Sequence, residues 1–243
     1  MKAIILAAGR GSRMGDRTDN TPKCMTELWG RTLIEWQIKI LRDSGINEIG
    51  VVVGYLADKI KLEQVHFFHN QRWENSNIVR SLLSSKDWLE NDDCIIAYSD
   101  ILYTPNTIRL LINNHDEISI PYKTNYRDLW EQRFINPLSD LETFKTSDHS
   151  ILLEIGNPAV NLDEIEGQFM GLLKTTPSGF RKLSAVLNSL NSEALDQLDV
   201  TAMLAILLKY NIQVSTIPCD DFWIEVDSLQ DIRLYESWEH GFK

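Results

Sequence analysis

Short apolar runs alternate with segments of helical spacing through the first half of the chain, and this alternation leaves few folds open. Lys2–Leu6 is a compact apolar run that ends in a glycine-rich turn. Thr32–Ser44 carries Leu33, Ile34, Ile38 and Leu41 at helical intervals and stops at Gly45. Glu48–Val53 is β-branched and bounded by glycines, and Gln64–His69 reads as a further strand. The spacing then predicts a helix over Ser76–Ser85, a strand at Cys94–Tyr98, a helix over Thr104–Asn114 and a strand at Ile118–Tyr122. Strands separated by helices of this length build βαβ units, so the expected class is α/β, a Rossmann-like and mostly parallel sheet flanked by helices.

The rhythm changes from about residue 122 to 176. Pro137, Gly156 and Pro158 interrupt strand-like pieces such as Ile151–Ile155 and Phe169–Lys174. A small antiparallel insertion lying over the ligand face of the sheet is the expectation. Helices near Pro177–Leu190 and Val200–Tyr210, a strand at Gln213–Ile217 and a last helix from Leu229 to Trp238 complete the chain. With no repeat or low-complexity tract, residues 1–243 read as one domain with that insertion embedded.

The turn after the first strand, Leu6-Ala7-Ala8-Gly9-Arg10-Gly11-Ser12-Arg13-Met14-Gly15, occupies the carboxyl end of a parallel strand, where open α/β sheets bind ligands. Glycines let the backbone approach phosphate oxygens, and successive N–H groups can cradle them. Arg13 and Lys23 add positive charge suited to a triphosphate, while Ala7 and Ala8 leave room for a base or ribose. Two familiar phosphate loops fail. There is no Gly-Lys pair for a P-loop, and Gly9, Gly11 and Gly15 are spaced one residue too widely for the dinucleotide fingerprint. From the glycines alone, a plain surface turn carrying arginines stays open.

Carboxylates for a hard cation stand at two further places. Asp100 follows the Cys94–Tyr98 strand, and Glu225 and Asp227 sit two apart just before the last helix, on one face if that stretch is extended. Helix capping is the plainer role for Asp100 and Asp227. The segment Trp73–Leu82 offers Asn75, Asn77 and Ser81 to a pyrimidine edge, with helix capping again the alternative for the asparagines; the backbone at Gly54 is a second candidate base contact. For an acceptor, Tyr122, Trp130 and Trp223 could box a quaternary ammonium, Glu154 or Glu225 a primary one, and Arg133 and Lys174 a phosphate.

The run Leu6–Met14 followed by Pro22-Lys23 resembles the LAAGxGxR…PK signature of the nucleotidyltransferases that make sugar nucleotides and CDP-alcohols. The segments Asp128–Leu138, Glu154–Gly156 and Gly167–Lys174 extend the resemblance to bacterial phosphocholine and 2-aminoethylphosphonate cytidylyltransferases. The resemblance implies the nucleotide-diphospho-sugar transferase-like fold, with the loop of Leu6, Ala7, Ala8, Gly9, Gly11 and Ser12 wrapping the nucleotide. It further implies that Arg13 and Lys23 neutralise charge on the phosphates, and that Asp100 and Asp227 hold Mg2+ between them. The expected reaction joins CMP from CTP to a small phosphorylated or phosphonylated acceptor and releases pyrophosphate. A sugar-1-phosphate nucleotidyltransferase using UTP, dTTP or GTP, and a nucleotide-sensing module without activity, are the competing readings; an NAD-linked oxidoreductase is a third. An anionic acceptor oxygen needs no general base, which suits the scattered His66, His69, His115, His149 and His240.

A net charge of −11 argues against nucleic acid or an anionic membrane as partner. No apolar stretch reaches the roughly 18 residues of a membrane span, and the N-terminal apolar run is too short for a secretion signal. Three cysteines with no CxxC pair point to reduced thiols and a cytoplasmic location. The resemblance makes CTP and the acceptor the expected partners, and a homodimer is left open.

Overall fold

The computed structural model describes residues 1–238, so His240 lies outside the described residues. Lys2–Ala7 is the middle of an eight-stranded sheet. It pairs in parallel with Ile49–Val53 on one side and Cys94–Tyr98 on the other, and His66–His69 continues the parallel set beyond Ile49–Val53. On the opposite flank Leu172–Thr175 runs antiparallel between Cys94–Tyr98 and Ile118–Lys123, and Ser215–Cys219 lies parallel to the latter. The central strands are apolar at nearly every position because both faces are covered. Ala3, Ile5 and Ala7 belong to the core under the Leu33–Asp43 helix, and Ile4, Leu6 and Ala8 to the core under the Pro177–Leu187 and Val200–Lys209 helices.

The helices begin where the sequence supplies caps. Thr32 and Glu35 form a reciprocal capping box, Thr104 caps Pro105–Asn113, and Ser228 with Asp231 forms a second box at Leu229–Glu236. Phe169–Lys174 is not one strand. Gly171, at φ 69°, breaks it into Gln168–Phe169 and Leu172–Thr175, and both pieces join the main sheet. Between them and Ile118–Lys123 the chain forms the helix Arg127–Arg133 and the antiparallel pair Glu142–Thr146 with Leu152–Pro158. Short helices at Lys86–Asn91 and Ser192–Gln197 also have no counterpart in the sequence reading. Among the described residues no helix is long and apolar enough to cross a membrane.

All three cysteines are free and buried. Burial pushes the Cys24 and Cys94 thiols up to about 12 and raises that of Cys219 as well. A thiolate is the reactive form, so the folded protein should be nearly inert to an aromatic disulfide reagent at pH 8. Three equivalents should react only after unfolding in guanidinium. Rapid titration of even one thiol in the native state would contradict this burial.

Candidate active site

The site lies at the carboxyl ends of the two central parallel strands. The chain leaves Lys2–Ala7 through Ala8 and Gly9 and doubles back at Gly11, whose φ of 69° is left-handed. A Cβ at Gly11 would stand 2.7 Å from Cβ of Lys23 and 2.8 Å from its Cδ. Only glycine lets the turn lie on the lysine stem. Lys23, 7% exposed, then reaches Asp100 and Asp227 together: Nζ donates to Asp100 Oδ2 at 2.6 Å and to Asp227 Oδ1 at 2.7 Å. Arg13 comes to the same Asp227 oxygen at 2.8 Å, but from the solvent side, with its side chain 65% exposed.

The two aspartates meet because of a ladder the sequence did not reveal. Ile101–Tyr103 pairs antiparallel with Trp223–Glu225, opposing Glu225 to Ile101, and the Val226 amide donates to the Asp100 carbonyl at 2.8 Å. Neither acid is used as a helix cap. Thr104 and Ser228 take those places, and Asp231 accepts from the Asp227 amide. Beneath them Arg133, its side chain fully buried, contacts Asp231 at 2.8 Å and both Glu225 and Asp227 at 3.3 Å.

The electrostatics follow from this packing. Burial alone would lower the Lys23 pKa, but Asp100 and Asp227 outweigh it and raise it. Burial would raise Asp227; Lys23, Arg13 and Arg133 hold it below the ordinary carboxylate value. Glu225 goes the other way, pushed up to about 8 by burial and then by Asp227 and Asp100, with Arg133 and Lys23 opposing. Asp100, Glu225 and Asp227 each bring one oxygen to within 4.8 Å of the others. Asp100 Oδ1 is buried without a hydrogen-bond partner. An all-oxygen set with an unsatisfied buried lone pair suits a hard divalent cation.

Two cavities open from this cluster. The first, about 350 Å3, is lined by Leu6, Ala8, Gly9, Gly11, Ser12, Arg13 and Lys23 at one end and by Asn77 and Ser81 at the other. Trp73, Ser76, Ile78, Tyr98, Ser99 and Asp199 also line it, and none of these was singled out from sequence. Tyr98 and Ser99 were within reach of it, since they share the strand end with Asp100. The second, about 270 Å3, is bounded by Trp130, Trp223 and Glu225, by Gln168 of the Gly167–Lys174 stretch, and by the unforeseen Glu142 and Thr201. Arg13, Tyr98, Asp199 and Glu225 border both.

Several sequence expectations are corrected by this geometry. Ala7 points to the opposite core, and Asn75 ends a short 3-10 turn outside the first cavity. Asn77 lines that cavity, but it caps Ile78–Leu83 and also donates to the Gln197 carbonyl. Gly54 acts by omission: a Cβ there would lie 2.6 Å from Trp73 Cβ and 2.9 Å from the Ala8 carbonyl. No aromatic box forms, because Trp130 and Trp223 stack on one another (5.9 Å between ring centroids, 7° between planes) while Tyr122 packs on Phe144. Arg133 is spent on three carboxylates and is not free for an acceptor phosphate. Glu154 pairs with Lys145 at 3.2 Å, and it is its neighbour Ile155 that lines the second cavity. Lys174 donates to the Asn114 carbonyl; its register opposite Ile95 sets it near the amino end of the parallel strands, away from the site.

Comparison with known proteins agrees with this arrangement. The CTP:phosphoglutamine cytidylyltransferase of Campylobacter jejuni is 36% identical over 251 aligned positions, covering 96% of this chain and 98% of its own. The choline-phosphate cytidylyltransferase of Streptococcus pneumoniae is 40% identical over 101 residues, 40% of this chain and 44% of its own. In solved structures, the fold matches a CTP:phosphocholine cytidylyltransferase from Streptococcus pneumoniae with a TM-score of 0.71 at 22% identity, over 97% of each chain. A putative glucose-1-phosphate thymidylyltransferase from Bacillus anthracis matches at 0.76 and 16% identity, over 100% of this chain and 98% of its own. Residues 3–154 match the MobA-like NTP transferase domain. With a glycine turn, a buried lysine and two carboxylates converging at the end of a nucleotidyltransferase-type sheet, this chain belongs to the MobA-like NTP transferase family.

Proposed function

We propose that this protein transfers CMP from CTP to a small phosphorylated or phosphonylated acceptor and releases pyrophosphate. The observation that carries the reading is the Lys23 ammonium held between Asp100 and Asp227 against the glycine turn. The first cavity takes the nucleotide, with its triphosphate toward Gly9–Arg13 and Lys23 and its base toward Asn77 and Ser81. The second takes the acceptor. The two meet at Arg13, Tyr98 and Glu225, which is where the reacting atoms would stand. The acceptor oxygen bonds to the α-phosphorus as the bond to the bridging oxygen of the β-phosphate breaks. That oxygen is already anionic, so no base is required.

The chain's own contribution is charge and position, the main sources of catalysis in phosphoryl-type transfer. Lys23 is fixed and fully charged at the reaction centre, while exposed Arg13 can turn from Asp227 to incoming phosphates. Asp100 and Asp227, with Glu225 beside them, are the residues that would hold Mg2+, which when bound offsets phosphate charge and polarises the phosphorus. Among acceptors, a phosphorylated amide takes first place because the Campylobacter jejuni relative, similar over nearly its whole length, is named for phosphoglutamine.

Pyrophosphate release tests this reading. CTP, Mg2+ and a panel of phosphocholine, 2-aminoethylphosphonate, phosphoethanolamine, a phosphorylated amide and hexose 1-phosphates should give release with CTP and a non-sugar acceptor. Leaving out Mg2+ should abolish it. Turnover confined to UTP or dTTP with a hexose 1-phosphate would overturn the assignment.

A further inference from the structure

Behind the base end of the first cavity stands Asn70, 5% exposed, immediately after the His66–His69 strand. Its side-chain amide is fully committed. Oδ1 accepts from the Arg72 amide at 3.0 Å, and Nδ2 forks to Ser76 Oγ and Ser81 Oγ, both at 3.1 Å. Both serines line the nucleotide cavity, whereas Asn70 does not. The two hydroxyls are left in different states. Ser76 passes its own proton to the Arg72 carbonyl at 2.8 Å. Ser81, only 6% exposed, receives from Asn70 and gives its proton to no described residue.

A serine hydroxyl can donate once and accept twice, and an incoming N–H on one lone pair biases the proton toward the open side. Here the open side is the cavity. We infer that Asn70 is a positioning residue for base selection: its forked amide holds Ser81 as a hydrogen-bond donor facing the nucleobase. The inference rests on the nucleotide reading given above and adds to it the polarity of one contact. A fixed donor complements a base edge that offers acceptors. Cytosine presents an acceptor at N3, where uracil carries N–H between its O2 and O4 carbonyls, so a donor that meets the N3 position favours CTP. A buried donor left without a partner is costly, which turns the contact into discrimination.

The test is direct binding by titration calorimetry at pH 8 with Mg2+, which needs no acceptor. Asn70→Asp keeps the size and the acceptor for the Arg72 amide but replaces the forked donor with an acceptor, so the Ser81 proton turns inward. The Kd for CTP should rise about tenfold or more, and the preference for CTP over UTP should shrink by a similar factor, as for other lost buried hydrogen bonds. Inorganic tripolyphosphate, which has no base, should bind wild type and variant within about twofold, a control on the integrity of the phosphate end. Ser81→Ala should weaken CTP comparably, and Asn70→Asp placed on that background should add little. Equal losses for tripolyphosphate and CTP would make Asn70 merely structural. Additive losses, or a wild type indifferent between CTP and UTP, would overturn the inference outright. A wild type that binds CTP yet releases no pyrophosphate would instead defeat the transfer reaction and leave this comparison readable.

Discussion

Replacing Lys23 with alanine should lower the turnover number for pyrophosphate release by at least about a thousandfold, equivalent to ~4 kcal/mol of transition-state stabilisation. Two effects combine. The variant loses a buried cation whose position is fixed by two carboxylates, at 2.6 and 2.7 Å. It also leaves Asp100, Glu225 and Asp227 facing one another with, among the described residues, Arg13 and Arg133 to offset them. Electrostatic stabilisation of this kind is large where water is excluded and the charge cannot rearrange. Lys23→Arg should not rescue turnover, because Nζ is a point charge set 2.6 and 2.7 Å from Asp100 and Asp227, a position that a longer, planar guanidinium does not reproduce. Initial-rate measurement at saturating CTP and acceptor provides the check. Turnover within tenfold of wild type for the alanine variant would remove Lys23 from the chemistry.

The second large effect belongs to Arg133. Its side chain is fully buried and contacts Glu225, Asp227 and Asp231, so removing it strands Glu225 and Asp231 in a poorly solvated place and leaves Asp227 to Lys23 and Arg13. Breaking a buried ion network from one side typically costs about 3–5 kcal/mol. Arg133→Met, which keeps the packing against Trp130 and Phe134, should lower the unfolding free energy by that amount in urea titration. The Asp231→Asn partner should cost less, since one of three acids is neutralised and its capping oxygen for Ser228 is retained. An Arg133→Met protein as stable as wild type, but with a raised KM for acceptor only, would restore Arg133 to the substrate-binding role expected from sequence.

What could be read from sequence was mostly what is local. The Lys2–Leu6 strand and its glycine turn, the capped helix from Thr32 and the compact strand Cys94–Tyr98 each carry their own signal within a dozen residues. That Asp100 and Asp227 stand together with Lys23 facing them was expected from resemblance; the direct contact of Lys23 with both acids was not. The acceptor side was the least legible. Glu154 and Lys174 have residue types that suit a ligand, but the strand register of 142–158 and 172–175 decides which way each one faces, while Arg133, on the Arg127–Arg133 helix, is claimed by carboxylates that only the last part of the chain delivers. A one-residue change in register exchanges Glu154 for Ile155 at the cavity, and composition carries no trace of that choice. Gln168 fell within the Gly167–Lys174 stretch without being singled out, whereas Asp199 and Glu142 were hidden for the converse reason. Each looks like an ordinary cap or surface residue until the 142–158 pair and the Val200–Lys209 helix are folded over the sheet.

The short ladder between Ile101–Tyr103 and Trp223–Glu225 has a bearing on how the protein comes to exist in a cell. Synthesis proceeds from the amino terminus, so the glycine turn, Lys23 and Asp100 emerge from the ribosome long before Asp227 does. A nascent chain can have most of its sheet in order while still lacking the strand that delivers the last carboxylate. Asp227 is thus the last member of the Lys23–Asp100–Asp227 cluster to be made, and a product cut anywhere between Asp100 and Asp227 would carry the lysine with only one of its two carboxylate partners.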